Sequence, residues 1–471
     1  MTVTATELWQ LSAVELAATI RSREASCRQV VDAHLRRIEE VNPAVNAVVV
    51  VLGEEARQAA DAADRAVTAG EELPRLHGVP FTIKDAIDLA GTPTTQGLRA
   101  LGRVYPARDA PAVERLKAAG AIPIGRTNLA AATVRWHCES ELWGATVNPW
   151  DRSRTPGASS GGDAVAVATG MTPLGLGSDG LGSLRWPAQC CGISTLKPTL
   201  GRIPDASSVP GLAAVPIGVQ LTAVVGPMAR RVADLRVALE VMAGPNWRDP
   251  WSVPAPLRGP ELGRPVRVAL VVDPAGQGTA PQVQDGVRTA GAALAEAGYV
   301  VEEVEPPSVE AAARAELAMY NTAEMRAGWD MMRPLCGPET VRFLTDFYEA
   351  AGDPDPVATM QGFTTRHSLL RAWGEFQQTH PLIVAPIGTD VPFRVGTDLD
   401  DGAVAATIRS MRMAMAVNTL GLPAVAVPVG IRDGLPQVVQ VIGPRYREDL
   451  CLDAAAALED LLGVLTPIDP R

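Results

Sequence analysis

Apolar residues recur at helical spacing near the start of the chain. Ser12 and Ser26 each stand three residues before a Glu or a Gln, which is the spacing of a capping box at a helix start. Five side chains after Ser26 share one face of the predicted helix: Val30, Val31, His34, Leu35 and Ile38. An Ala-rich run at 54–69 predicts another helix, whereas 48–52 fits either a strand or a buried helix end. Residues 1–75 are therefore predicted to be a helical region.

Helix and strand patterns alternate after residue 76. Segment 78–84 is rich in β-forming residues and ends in Lys84, 110–119 predicts a helix, and 121–125 predicts a strand. Further candidates are a strand at 266–272, a helix at 282–297, and strands at 422–428 and 438–442. Such alternation is typical of a parallel or mixed sheet that helices cover on both faces.

Composition narrows the class of protein. The chain has 471 residues, of which 47% are hydrophobic and 20% charged, so it has enough apolar residues for a large core. Its net charge of −11 argues against nucleic acid or an anionic membrane as a partner, because both attract basic surfaces. No apolar run reaches the roughly 18 residues that a membrane span needs.

The cysteines and the first residues bear on location. Six cysteines are scattered along the chain without a CxxC pair, so we expect reduced thiols and neither a disulfide framework nor a metal site. Residues 1–7 lack the basic and apolar segments of a signal peptide. We therefore expect a cytoplasmic protein that needs no metal or other cofactor.

A glycine- and serine-rich segment is the first candidate for chemistry. Residues 157–162 are GASSGG, which contains the G-x-S-x-G pattern of a nucleophile elbow. An elbow follows an apolar strand, but 151–156 is polar and ends in proline, and no GK[ST] follows to make a phosphate-binding loop. On this fragment alone, a tight turn is the simpler interpretation.

Two more segments are candidates for the same reason. Residues 174–187 place glycines just before Ser183, where backbone N–H groups could converge on a reacting oxygen, although a simple turn also fits. Only three of the 42 basic residues are lysines: Lys84, Lys117 and Lys197. Lys84 ends an apolar strand, so burial could lower its pKa and make it a base; the alternative is a side chain that extends to solvent.

Taken together, these segments resemble the amidase signature family. The resemblance rests on GVPFTIKD at 78–85, GRTN at 125–128, NPWDRSRTPGASSGG at 148–162, GISTLKPT at 192–199, VGPMAR at 225–230, NTLGLPA at 418–424 and QVIGP at 440–444. It spans most of the chain outside 241–400. It implies a single domain over 1–471, with a catalytic core at 76–240, a variable region near the substrate entrance at 241–400 and a return to the core sheet at 401–471. The implied fold is a mixed, twisted sheet of about eleven strands, and the N-terminal helices are a candidate homodimer surface.

The resemblance also implies a catalytic triad. Ser183 corresponds to the nucleophile, Ser159 to a middle serine that follows a cis peptide, and Lys84 to the base. The backbone N–H groups of Gly180, Leu181, Gly182 and Ser183 correspond to the oxyanion hole. Ser160, Asp179 and Arg185 correspond to residues that hold the catalytic loop. The five histidines then have no catalytic role.

Three departures from the family pattern concern the pocket. Leu181 and Ala158 stand where glycines are usual, and Ala130, Ala131 and Ala132 stand where an acidic residue is usual. Leu181 either packs under its loop or forms a wall of the acyl pocket. Three tryptophans lie in segments that should approach the site, as pocket or as core: Trp136, Trp143 and Trp186.

The expected function is hydrolysis of a small-molecule carboxamide to an acid and an amine or ammonia through an acyl-enzyme. The same triad would also suit a hydrazide, ester, carbamate or urea-type substrate. A glutaminase subunit of a tRNA-dependent amidotransferase is less consistent with the sequence, because residues 221–225 lack the acidic residue of those subunits. A non-catalytic homologue is disfavoured because all three triad residues are present.

Overall fold

The computed structural model describes residues 8–209, 215–263 and 265–471. Residues 1–7, from which we expected no signal peptide, lie outside the described residues. The helices are α1 (Ala13–Arg21), α2 (Cys27–Val45), α3 (Gly53–Ala69), α4 (Pro111–Ala118), α5 (Gly161–Ala168), α6 (Arg185–Cys191), α7 (Ile217–Thr222), α8 (Val232–Met242), α9 (Pro281–Glu296), α10 (Val309–Tyr320), α11 (Ala323–Met332), α12 (Pro338–Ala351), α13 (Pro356–Thr379), α14 (Ala403–Ser410), α15 (Arg412–Thr419) and α16 (Glu448–Leu462).

The strands form one large sheet and one short hairpin. They are β1 (Val48–Val51), β2 (Pro80–Lys84), β3 (Ile122–Thr127), β4 (Glu139–Ser140), β5 (Gly144–Ala145), β6 (Leu174–Asp179), β7 (Ser194–Lys197), β8 (Val224–Ala229), β9 (Arg267–Leu270), β10 (Val300–Glu303), β11 (Leu382–Ala385), β12 (Ala424–Arg432) and β13 (Leu435–Ile442). Eleven of them pair in the order β1-β3-β2-β6-β8-β7-β12-β13-β11-β9-β10, and β4 pairs with β5. The predicted α/β domain with a mixed sheet of about eleven strands is confirmed.

Strand direction follows from the connections. β2 is parallel to both β3 and β6, and β9 is parallel to both β10 and β11. The strands between these two groups pair antiparallel, from β6 through β8, β7, β12 and β13 to β11. The sheet is therefore parallel near each end and antiparallel in the middle.

Helices cover both faces of the sheet centre. Every residue of β2, β7, β8 and β11 is buried. Successive strand residues point to opposite faces, so continuous burial requires cover on both sides. Helix α5 packs against β2 and β6, α8 against β7 and β8, and α16 against β12.

The helix starts at Ser12 and Ser26 are as predicted. Each serine Oγ accepts the backbone N–H three residues on, and the side chain of Glu15 or Gln29 accepts the serine's own N–H. The undecided segment at 48–52 contains strand β1, because it pairs antiparallel with β3 at the sheet edge. Pairing between distant segments, rather than local composition, decides this assignment.

The region at 241–400 supplies more than helices near the entrance. Besides α9 to α13, it contributes β9, β10 and β11 to the large sheet. The predicted strand at 266–272 corresponds to β9, and the predicted helix at 282–297 corresponds to α9.

The sheet topology fixes the place of the site. Lys84 is the last residue of β2 and Asp179 the last of β6, and these neighbouring strands run parallel. Their carboxyl ends therefore meet at one edge of the sheet, where the turn after β6 leads into α6.

Candidate active site

Lys84 lies at the centre of a cluster of serine hydroxyls. Its side chain is fully buried. The Nζ atom lies 2.7 Å from Ser159 Oγ, 3.0 Å from Ser160 Oγ and 2.9 Å from Ser178 Oγ. The lysine is therefore held inside the protein by neutral hydroxyl groups, and it does not extend to solvent.

The two segments that carry the serines meet beside this lysine. The peptide between Ala158 and Ser159 is cis, as the resemblance implied. The backbone N–H of Ser160 donates to the carbonyl oxygen of Ser183 at 3.2 Å. Ser183 is 9% exposed, whereas Ser159 is 1% exposed. Ser183 is thus the member of the group that a substrate can reach most easily.

Hydrogen-bond accounting gives the direction of the contacts. The Ser160 Oγ donates to the carbonyl oxygen of Ser178 at 3.2 Å, so it accepts from Lys84. A neutral lysine amine has two N–H groups and one lone pair, so one of its three neighbours must donate to it. Ser159 is free to do so. A neutral Lys84 can therefore receive a proton from Ser159.

The environment of Lys84 favours the neutral amine. Burial lowers the pKa of Lys84 from 10.5 to about 8, although the negative charges of Asp163 and Asp179 act in the opposite direction. A base that titrates near neutral pH is what proton transfer in an enzyme requires.

Asp163 is a buried carboxyl group behind the lysine. It accepts from the hydroxyl groups of Thr82 on β2 at 3.2 Å and Thr127 on β3 at 2.6 Å. Burial raises its pKa to about 7, partly offset by the Thr127 hydrogen bond and the positive charge of Lys84. Thr82 and Lys84 are two residues apart on one strand, so they face the same side of the sheet.

Asp179 and Arg185 organise the loop that carries Ser183. Their buried ion pair measures 2.9 Å, and Asp179 also accepts the backbone N–H groups of Gly182 at 2.9 Å and Leu184 at 3.2 Å. Burial would raise the pKa of Asp179, but the Arg185 charge and hydrogen bonds keep it well below its usual value. Asn418 on α15 bonds to both residues.

One of the four expected oxyanion donors is already engaged. The N–H of Gly182 donates to Asp179 Oδ1, so it is not free for a substrate oxygen in this structure. Gly182 has φ of +94°, and a Cβ there would come within 2.5 Å of Met411 Cε, so only glycine fits. The expectation of four donors is corrected to three: Gly180, Leu181 and Ser183.

The departures from the family pattern have local explanations. Ala158 packs with Ala130 and Cys138 in a small buried cluster, so an alanine in place of a glycine and an alanine in place of an acidic residue adjoin each other. Leu181 is half-buried against the main core, and the positive φ of its loop falls on Gly182. Leucine at 181 therefore needs no left-handed backbone.

Two of the three tryptophans are core residues that touch the catalytic loop. Trp136 is 3% exposed and donates its indole N–H to the carbonyl oxygen of Leu181 at 3.2 Å. Trp186 is 2% exposed and donates to the carbonyl oxygen of Trp136 at 3.2 Å. Trp143 is half-buried and donates to Asp85 at 3.0 Å.

Sequence reasoning missed Ser178, Asp163 and Lys197. Ser178 directly precedes Asp179 and belongs to the third candidate segment, but only the β2–β6 pairing brings it to Lys84. Lys197 is fully buried and donates to the carbonyl oxygen of Leu422 at 2.8 Å. The scarcity of lysine was a usable indication for Lys197 as well as for Lys84. Lys117, by contrast, is a partly exposed partner of Asp109.

Two further observations bear on cofactors and membranes. Across residues 8–209, 215–263 and 265–471, no three histidine, cysteine or acidic side chains come together as a metal-binding group. None of the helices described there has both the length and the hydrophobicity to cross a membrane.

Comparison with known proteins identifies the family. The family model described as Amidase matches residues 29–452. The chain belongs to the amidase family. Among amidase relatives, indoleacetamide hydrolase of Bradyrhizobium diazoefficiens is 42% identical over 97% of this chain and 88% of its own length. A subunit of the glutamyl-tRNA(Gln) amidotransferase of Salinispora arenicola is 34% identical over 98% of this chain and 99% of its own.

The fold agrees with that of a solved amidase. A bacterial aryl acylamidase of the amidase signature enzymes superposes with a TM-score of 0.82 at 27% identity, covering 96% of each chain. The predicted family is therefore confirmed. So is the predicted class of enzyme, an amidohydrolase that acts on carbon–nitrogen bonds of carboxamides rather than of peptides.

Proposed function

We propose that this amidase cleaves its substrate through an acyl-enzyme on Ser183. The Ser183 oxygen attacks the amide carbonyl carbon, and its proton passes through Ser159 to Lys84. The C–N bond then breaks, and the leaving nitrogen takes a proton from the same relay. Water attacks the acyl-enzyme, gives its proton to Lys84 and releases the acid. The observation that supports this most is the buried Lys84 Nζ at 2.7 Å from Ser159 Oγ.

The oxyanion is the charge that the loop must stabilise. In this proposal the N–H groups of Gly180, Leu181 and Ser183 bind it, while Asp179, Arg185 and Ser160 keep the loop and the lysine in place. Backbone donors fixed before the reaction need no reorganisation as the charge develops.

For the substrate, we propose a small primary amide of an arylacetic acid. The support is the identity of 42% with an indoleacetamide hydrolase over 97% of the chain. The test is a panel of indole-3-acetamide, phenylacetamide, an aliphatic amide, and the matching hydrazide and ester, with product acid measured by mass spectrometry. Preference for the aliphatic amide, the hydrazide or the ester would overturn the arylacetamide assignment.

A glutaminase component of a tRNA-dependent amidotransferase is the second candidate, because a subunit of such an enzyme is also a relative, at 34% identity. Glutamine belongs on the same panel, in the absence of other proteins. Turnover of an arylacetamide without partners supports the stand-alone enzyme. Glutamine turnover that depends on added amidotransferase partner proteins would support the second candidate.

We propose a cytoplasmic location, since all six cysteines are free and five of them are buried. The homodimer expected through the N-terminal helices stays a prediction, which light scattering of the purified protein tests directly.

The rate should depend on pH through Lys84. The active form carries a neutral amine, so kcat/KM should rise with pH as the lysine loses its proton, with a midpoint near its pKa of about 8. The measurement is kcat/KM from pH 5 to 10 with a substrate for which chemistry is rate-limiting. A flat profile would contradict the assignment of Lys84 as the base.

A variant of Asp163 sharpens this test. Asp163→Asn removes a neighbouring negative charge that raises the lysine pKa, so the rising limb should move to lower pH. Asp234→Asn is the matched control: this carboxyl is also buried, but it accepts the Val14 N–H at 2.9 Å at the start of α1. Its profile should coincide with that of the wild type.

Leu181→Gly should lower the thermal midpoint and reduce kcat/KM for bulky and small acyl amides alike. Leu181 packs against the core, and glycine loses that contact and adds backbone freedom worth about 1 kcal/mol in the unfolded chain. The decisive quantity is the ratio of kcat/KM between a bulky and a small amide. If the ratio shifts toward the bulky amide, Leu181 is instead a wall of the acyl pocket.

A further inference from the structure

The peptide between Leu181 and Gly182 is held at both ends. Its N–H donates to Asp179 Oδ1 at 2.9 Å, and its carbonyl oxygen accepts the indole N–H of Trp136 at 3.2 Å. The next carbonyl oxygen, that of Gly182, accepts the backbone N–H of Trp186 at 2.7 Å. A peptide plane bonded on both sides cannot rotate without breaking a hydrogen bond.

This orientation matters for the neighbouring N–H groups. The fixed peptide lies between the N–H of Leu181 and the N–H of Ser183, two of the three groups left for the substrate oxygen. A rotation of this plane would change the backbone angles on both sides and turn both donors. Donors serve an oxyanion only when they are aimed before the charge develops.

Trp136 is itself held in place from several sides. Its carbonyl oxygen accepts the indole N–H of Trp186 at 3.2 Å. Its ring meets the edge of Phe343 on α12 at a centroid distance of 5.6 Å and an angle of 75°. The preceding residue, Arg135, forms a buried ion pair with Asp398 at 2.8 Å. The indole N–H is therefore a rigid donor, and the variable region at 241–400 supports it.

We propose that Trp136 is a positioning residue for catalysis: its indole N–H fixes the Leu181–Gly182 peptide so that the adjacent N–H groups face the oxyanion. This rests on the proposed function, in which that loop binds the oxyanion of a Ser183 adduct. Trp136 acts through the loop and not by touching the substrate. It stands in the same segment as the alanines that replace the usual acidic residue.

The test is Trp136→Phe, which keeps an aromatic ring and removes the N–H. We expect kcat to fall about tenfold or more with KM within about twofold, because removal of a direct oxyanion donor costs about 100- to 1,000-fold and this effect is indirect. Binding of a boronic acid transition-state analogue should weaken by the same factor as kcat/KM, whereas binding of the product acid should not change.

Trp373→Phe is the matched control. Trp373 is fully buried on α13, and its indole N–H donates to the carbonyl oxygen of Pro307 at 2.7 Å, away from the loop. It should lose a hydrogen bond of the same kind with kcat unchanged. If Trp136→Phe does not fold, the isosteric 3-benzothienylalanine at 136 removes the N–H alone and carries the same expectation.

Unchanged kcat in a folded Trp136 variant, or an equal fall in Trp373→Phe, would overturn the inference. Failure of the proposed function looks different. In that case Ser183→Ala keeps its turnover, or a fluorophosphonate labels no serine. Labelled Ser183 together with normal Trp136→Phe kinetics rejects the positioning role alone.

Discussion

Ser183→Ala is expected to lower kcat by at least about 10,000-fold, because removing the nucleophile of a catalytic triad removes the acyl-enzyme route altogether. Ser183 is the most exposed of the three triad residues, and its carbonyl oxygen is tied to the Ser160 N–H. The loss of one hydroxyl should therefore leave the fold intact. The measurement is kcat on the best amide of the panel, together with fluorophosphonate labelling followed by peptide mapping.

Ser194→Ala is the matched control for this prediction. Ser194 is also buried, on β7, but its hydroxyl has no hydrogen-bond partner among the residues that the structure describes. Removing an unpartnered hydroxyl costs little stability, so kcat and the thermal midpoint should stay near those of the wild type. Turnover in Ser183→Ala within about 100-fold of the wild type would reject Ser183 as the nucleophile.

Much of the site could be predicted because its members lie in short, characteristic segments. Lys84 ends a strand that the pattern at 78–84 indicates, and Ser159 and Ser183 lie in glycine-rich turns that few other structures need. The helix starts at Ser12 and Ser26 were predictable for a similar reason, since a capping box involves residues only three apart.

The rest depends on contacts between distant segments. Asp163 is one buried residue of a helix in the sequence, and it becomes a neighbour of Lys84 only because β3, β2 and β6 adjoin. The Gly182 N–H was expected to face the substrate, but a carboxylate three residues earlier accepts it. The strands β9 to β11 were hard to anticipate because each is four residues long and lies in a Pro- and Ala-rich region.

Trp136 illustrates the same limit. Large aromatic residues are buried by default, so composition could not tell a core tryptophan from one that lines a pocket. The structure places it in the core and also against the catalytic loop. Packing and positioning are therefore combined in one side chain, and only the hydrogen bond to Leu181 distinguishes it from a residue such as Trp373.

Lys84→Met should lower kcat by about 10,000-fold or more, a loss close to that of Ser183→Ala, because nucleophile and base act as one unit and their losses do not add. Methionine is unbranched and fits the buried volume of the lysine chain. It offers no nitrogen to accept the proton of Ser159. The double variant with Ser183→Ala should be no slower than either single variant.

Lys84→Arg separates the two roles that a lysine could have here. Arginine keeps the positive charge and donates to the same hydroxyls, but its pKa above about 12 leaves no lone pair to take a proton. If Lys84 is the base, Lys84→Arg should be as inactive as Lys84→Met, even though the charge is restored. If the charge alone matters, Lys84→Arg should recover much of the activity, which would reject the relay through Ser159. Lys117→Met is the control: this lysine is partly exposed and pairs with Asp109, so its replacement should leave both kcat and the pH profile unchanged.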